Sequence, residues 1–259
     1  MMKFKWMMLF CMIALLGISA CSSDDGDVTE KKDGSGVVVG RKKLVKLVEK
    51  TNEGTEYGTA YVTKFTYDNE GHLVKTTGYG YHLTFVWEQG RIVQTINYGQ
   101  RADTCVYELA NNLVNSWYAP RYGSDFLSYS SSSQLLSVST DMSGIYATYK
   151  WSQGKMVETD YGYGDRSYTL SYSGKTCNGY NPLVVKHADI GCGDITYAHP
   201  ELFGLSTTQL YEKMESDDGT ATWYYSYEFD GDGYVTKATE TYTYINGKKS
   251  TKTYTFTWE

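Results

Sequence analysis

An aromatic residue returns about every twenty positions along this chain, each time two residues after an apolar one. Tyr67, Trp87, Tyr107, Tyr129, Trp151 and Tyr172 follow one another at spacings of 20, 20, 22, 22 and 21, and Phe229 repeats the arrangement later. Most copies continue into a short polar turn and a second apolar pair. Phe65-Thr66-Tyr67 runs through Asp68-Asn69-Glu70-Gly71 to Leu73-Val74, and Tyr149-Lys150-Trp151 through Ser152-Gln153-Gly154 to Met156-Val157. A period of this size means one supersecondary unit used repeatedly. Alternating apolar residues rich in Tyr, Thr and Val, joined by Gly-containing turns, make that unit a β-hairpin.

The alignment also gives the register. The anchor aromatic and the residue two before it are apolar in every copy, whereas the residue between is Thr66, Val86, Val106, Ser128, Lys150, Ser171 or Glu228. Side chains alternate across a strand, so one face lies in a core and the other mostly in water. The expected fold is all-β: an antiparallel meander of roughly fourteen or more strands, too many to stay flat, rolled or closed into a barrel. All seven anchors should point inward. Cys105 occupies the inward position that Phe65 and Phe85 fill elsewhere, so it reads as a small buried hydrophobe. Residues 41–259 form one domain on this reading, with an irregular insertion around 175–206 where the repeat fails.

The first twenty residues have another purpose. Lys3 and Lys5 precede an apolar run from Trp6 to Leu16 and the small residues Gly17, Ser19 and Ala20. This is the layout of a secretory signal peptide, too short and wrongly flanked for a membrane span. Leu16-Gly17-Ile18-Ser19-Ala20-Cys21 resembles a bacterial lipobox, which makes Cys21 the lipidated first residue of the mature chain. Residues 21–40 then read as a polar, Gly-containing tether. The acidic run Asp24-Asp25-Gly26-Asp27 resembles the surface-export signal of Bacteroidetes-type lipoproteins. The expected location is the outer membrane, held by lipid and exposed at the cell surface, with the membrane contacted through the anchor alone.

Together these features resemble the Bacteroidetes lipoprotein domain of unknown function with a porin-like fold. The resemblance rests on the lipobox, on units of the form Phe65-x-Tyr67-Asp68-x-x-Gly71-x-Leu73-Val74-Lys75, on His199-Pro200-Glu201-Leu202-Phe203-Gly204-Leu205-Ser206, and on Tyr227-Glu228-Phe229-Asp230-x-x-Gly233-Tyr234-Val235. It spans about residues 40–259, implies a barrel-like β-fold, and carries no catalytic residues to transfer. A barrel that faces lipid is not expected, because the water-facing positions carry Lys, Glu, Ser and Thr where a membrane band would be apolar.

Charge narrows the function. The chain has 24 Lys and Arg against 30 Asp and Glu, a net of -6. Loss of residues 1–20 leaves 22 positive and 30 negative side chains, a net of -8. No basic excess exists to neutralise phosphates, so nucleic acid is not an expected partner. His187, Asp189, Cys192 and His199 match no zinc spacing. Asp230-Gly231-Asp232-Gly233 aligns with the hairpin turn at Asp68–Gly71 and lacks the downstream ligand of a calcium loop. No metal, cofactor or catalytic residue is therefore expected. Cys177 and Cys192 could form a disulfide in an oxidising compartment, although spacing alone does not decide pairing.

One rim of the expected sheet is rich in Tyr, Gly and Arg. Asn97-Tyr98-Gly99-Gln100-Arg101, Trp117-Tyr118-Ala119-Pro120-Arg121 and Tyr161-Gly162-Tyr163-Gly164-Asp165-Arg166 fall at equivalent places. Tyr98, Arg101, Tyr118, Arg121, Tyr161 and Arg166 form a candidate binding rim, since Tyr and Arg supply rigid contact area and forked donors. The alternative is aromatic packing over strand-end glycines. The sequence thus reads as a non-enzymatic binding module for a glycan or a neighbouring envelope protein. The rival readings are an extracellular carbohydrate-acting enzyme and a purely structural envelope component.

Overall fold

The computed structural model describes residues 41–259 apart from 53–59, 79, 99–100, 121–122, 163–165, 189 and 245–246; Cys21 and the leader lie outside the described residues. Sixteen strands follow the hairpin pattern. They are β1 (Leu44–Asn52), β2 (Ala60–Tyr67), β3 (Leu73–Gly78), β4 (Tyr81–Glu88), β5 (Arg91–Tyr98), β6 (Arg101–Ala110), β7 (Leu113–Ala119) and β8 (Gly123–Tyr129). Then come β9 (Leu135–Thr140), β10 (Gly144–Ser152), β11 (Lys155–Tyr161), β12 (Arg166–Thr176), β13 (Gln209–Ser216), β14 (Thr222–Phe229), β15 (Val235–Thr243) and β16 (Lys249–Trp258). Every consecutive pair is antiparallel, and β16 returns to pair with β1, closing the barrel. The backbone groups of Lys43 and Glu259 bond each other at the seam. The expected rolled sheet is therefore fully closed.

Alternation places the core inside. On β4, Leu83 and Phe85 are buried while His82 and Val86 are exposed. The outer wall carries cross-strand ion pairs, Lys150–Glu158 and Lys237–Glu228, each at 2.6 Å.

One structural device recurs around the ring. Each odd-numbered strand except β5 has a register shift near the end of the barrel where the chain enters, which we call the near end. A bulge leaves a backbone group without its ladder partner. In each case a Tyr or Trp on the next strand donates to the carbonyl beside the bulge. The pairs are Tyr67 to Leu44, Trp87 to Leu73, Tyr129 to Val114, Trp151 to Leu135, Tyr172 to Met156, Tyr227 to Tyr211 and Trp258 to Val235, all between 2.6 and 2.9 Å. Strand β5 pairs with β4 and β6 without a shift. Tyr107, which would have capped it, bonds Gln94 Oε1 at 2.8 Å instead.

The device explains why the anchors are Tyr and Trp, and it corrects one of them. Phe229 has no donor and is 40% exposed, so Tyr227 takes the capping role two residues earlier. Tyr107 is fully buried, and Tyr67, Trp87, Tyr129, Trp151 and Tyr172 are partly buried against the core. Cys105 is buried on the inner face as expected.

Sixteen strands enclose more space than wall side chains can fill. The chain fills it with the segment between β12 and β13, which enters from the near end. This plug contains α1 (Pro182–Ala188), α2 (Asp194–Ala198) and a 3-10 turn at Pro200–Phe203. Leu183, Val184, Ile195, Leu202, Phe203 and Leu205 are fully buried there. Wall tyrosines tie it down: Tyr107 donates to the Cys192 carbonyl, Tyr149 to Ala188 and Tyr161 to His187. His199 Nε2 accepts the Leu73 amide at 3.2 Å, while its Nδ1 meets Glu201 at 2.9 Å. At Gly204, φ is +63° and an added Cβ would stand 2.4 Å from the Ser133 carbonyl, so only glycine lets the plug lie against the β8–β9 turn.

The disulfide is not formed. Cys177 and Cys192 are both free and buried. Cys177 Sγ rests on the Thr208 carbonyl at the plug entry, and Cys192 Sγ on that of Ile190.

Candidate functional site

The far end of the barrel, opposite the plug entry, holds two cavities flanking the plug. The first, about 450 Å³, is lined by Tyr161, Tyr168, Lys186, His187, Met214, Trp223 and Glu240. Inward positions of β11, β12 and β14 supply its aromatic wall. Tyr168 lies edge-on to Trp223 at 5.6 Å and to Tyr161 at 6.0 Å. The floor is ionisable. Glu240 faces inward from β15 opposite Tyr225, and Lys252 from β16 opposite Glu240. Lys252 pairs with Glu49 at 2.9 Å. Lys186 donates to the Tyr254 hydroxyl.

Burial dominates the chemistry of this floor. It holds His187 down to about 3, helped by the charges of Lys186 and Lys252. The neutral ring shares a hydrogen bond of 3.0 Å between its Nε2 and the Tyr225 hydroxyl. Burial also draws Lys186 down to about 8, with Lys252 adding to the effect. The Glu240 carboxyl is pushed up by burial, against the pull of the two lysines. Its Oε2 is buried, accepts no hydrogen bond, and lies 3.6 Å from His187 Nε2.

The second cavity, about 230 Å³, lies between the plug and strands β4 to β7. Tyr81, Leu83, Gln94, Ile96, Tyr98, Cys105, Tyr107, Trp117 and the plug residues Gly191 to Asp194 line it. Asp194 Oδ2 accepts from Thr76 Oγ1 at 2.6 Å and from the Tyr81 hydroxyl at 3.5 Å.

The candidate rim divides between these features. Tyr98, 53% exposed, lines the second cavity, with Arg101 opposite it across the β5–β6 hairpin. Tyr161 lines the first cavity and is bonded to the plug. Arg166 is exposed at the far end, its Nε 4.0 Å from Asp218 Oδ2. Tyr118 pairs with Val106 and Ser124 on the outer wall and does not join the lumen. Arg121 lies outside the described residues.

Among the described residues one group could hold a metal ion: Asp68, Glu70 and His72, at the near end. It is built as a turn. Asp68 Oδ1 accepts the Glu70 and His72 amides, as Asp230 Oδ1 accepts those of Asp232 and Tyr234 in the matching turn. The His72 ring beside Asp68 and Glu70 corresponds to Lys42, which bridges Asp230 and Asp232.

Sequence reasoning missed Lys186, Tyr168, Trp223, Glu240 and Asp194. Glu49, Glu240 and Lys252 did carry a signal, since all three are charged residues at inward positions of strands. Lys186 and Asp194 carried none, because nothing local places the plug.

The architecture is that of a plugged sixteen-strand antiparallel barrel. The fold is shared with porin-like proteins of Bacteroides. A porin-like protein from Bacteroides uniformis ATCC 8492 superposes with a TM-score of 0.65 at 16% identity, over 83% of this chain and 98% of that one. A porin-like protein from Bacteroides vulgatus ATCC 8482 gives 0.54 at 14% identity, over 84% and 99%. No protein family matches the chain, and no curated protein does.

Proposed function

We propose that this protein is lipid-anchored through Cys21 at the cell surface and binds a glycan at the far end of its barrel, without turnover. The first cavity supports this reading. Tyr161, Tyr168 and Trp223 offer flat apolar faces to a sugar ring, above donors and acceptors on Lys186 and Glu240. A concave, mostly apolar site with a few convergent polar groups is the usual form of a small-ligand pocket. A hydrolytic reading has one observation in its favour: Glu240 is a carboxyl raised by burial, as a glycosidase acid requires.

The test is glycan-array capture by the detergent-solubilised protein, followed by Trp223→Ala and Glu240→Gln. Trp223→Ala should weaken capture by about 2 kcal/mol. A captured glycan that stays intact supports binding alone, and release of new reducing ends lost in Glu240→Gln supports the enzyme. Capture unchanged by either substitution would place the site elsewhere.

A further inference from the structure

We propose that the second cavity is a separate site for a small organic cation, an alkylammonium or quaternary ammonium head group. Four aromatic side chains, Tyr81, Tyr98, Tyr107 and Trp117, line one small space together with the Asp194 carboxylate. Aromatic faces attract a desolvated cation through their quadrupoles, and cages of them are the known means of holding quaternary ammonium groups. The volume, about 230 Å³, falls below the ~300–1,000 Å³ typical for drug-sized ligands, so the occupant is a head group with a short chain.

Charge selects the sign. At the first cavity Lys186 lies in the lining with Glu240 and its charge, with that of Lys252, acts on that carboxyl, while Lys252 pairs with Glu49. No described Lys or Arg lines the second. The hydrogen-bond partners of Asp194 Oδ2 are two neutral hydroxyls, on Thr76 and Tyr81. Asp125, opposite Trp117 in register and outside the lining, is a second buried carboxylate, which accepts the Tyr146 hydroxyl at 3.2 Å. Burying a carboxylate without a counter-charge is costly. Burial holds both carboxyls above their ordinary range, a shift that a bound cation would reverse. Among the described residues no counter-charge lines this space, and the partner proposed is a positive charge from outside that enters past the exposed Tyr98.

The proposal stands apart from the glycan reading, since the two cavities share no lining residue. It is tested by calorimetric titration of the detergent-solubilised full chain. The ligands are choline and n-butylammonium, set against 3,3-dimethylbutan-1-ol, the neutral isostere of choline. At least one cation should bind ten-fold or more tightly than the neutral isostere. Tyr98→Leu and Asp194→Asn should each weaken the cation at least ten-fold, with Trp223→Ala leaving it unchanged. If Asp194→Asn fails to fold, Tyr98→Leu, which removes an exposed ring, carries the result. Equal binding of the neutral isostere, binding indifferent to Tyr98→Leu, or no binding of either cation at millimolar concentration would overturn the proposal.

Discussion

His187 is buried between Tyr211 and Tyr225 with its Nε2 hydrogen-bonded to the Tyr225 hydroxyl, so protonating the ring places a charge in the core. The unfolded chain takes up this proton near pH 6.5, the folded chain near 3. Between those values the proton favours the unfolded state, so stability falls as pH falls through the window, by an amount on the order of a few kcal/mol. Glu240 acts in the opposite sense, because a carboxyl raised by folding gains its proton first in the native state. The difference between wild type and His187→Gln isolates the histidine. In urea titrations the wild type should lose stability relative to that variant between pH 7 and pH 4. A constant difference would mean that folding does not shift the His187 titration, and a relative gain for the wild type would mean that the fold holds the ring protonated. None of this was legible in the sequence, where His187 stood beside Asp189 and Cys192 as a discarded metal pattern.

At the scale of the element, the capped bulge is the unit that repeats. Tyr129→Phe keeps the ring and removes the hydroxyl from the Val114 carbonyl. It should cost about 1–2 kcal/mol, the loss of a hydrogen bond to a largely buried acceptor. Phe229→Leu, which breaks no cap, should cost less in the same denaturation series. The aromatic period was readable because each hairpin needs one donor at one place. The identity of the seventh donor was not, since Trp223, Tyr225, Tyr227 and Phe229 alternate in the sequence as one aromatic row, and only the bulge between Glu228 and Phe229 shows that the row leaves the core after Tyr227. The plug itself has helices of seven and five residues, too short for a readable amphipathic period. Its seat can be tested at Gly204. Gly204→Ala drives a Cβ into the Ser133 carbonyl in a left-handed backbone, whereas Gly219→Ala, at a similar φ of +67°, meets open space. The second should cost about 1 kcal/mol, and the first clearly more. Equal melting losses would mean the plug does not press on the β8–β9 turn.

At the scale of the whole molecule, alternation predicted an inner and an outer face, and strand number predicted curling. Closure and filling lay beyond the sequence, since both are set by contacts between residues far apart. Phe65 and Lys150 announced their faces locally, but the meeting of Lys186 with Glu240 requires the finished ring. For attachment, Cys21→Ala should release the protein from membranes or leave it unprocessed, read by fractionation; unchanged membrane association would remove the lipid anchor from the account. The seam of the barrel adds a mechanical consequence. Strand β1 leaves the near end at Lys43, hydrogen-bonded to Glu259, and is flanked along its length by β2 and β16. A force that separates the two chain ends would peel β1 from β16 one bond at a time. A force entering through residues before Arg41 and leaving through a ligand at the far end would pull along β1 and shear both ladders at once. A protein held and loaded in that way resists through many bonds in parallel, so the ring is strongest along the line on which a tethered receptor would be pulled.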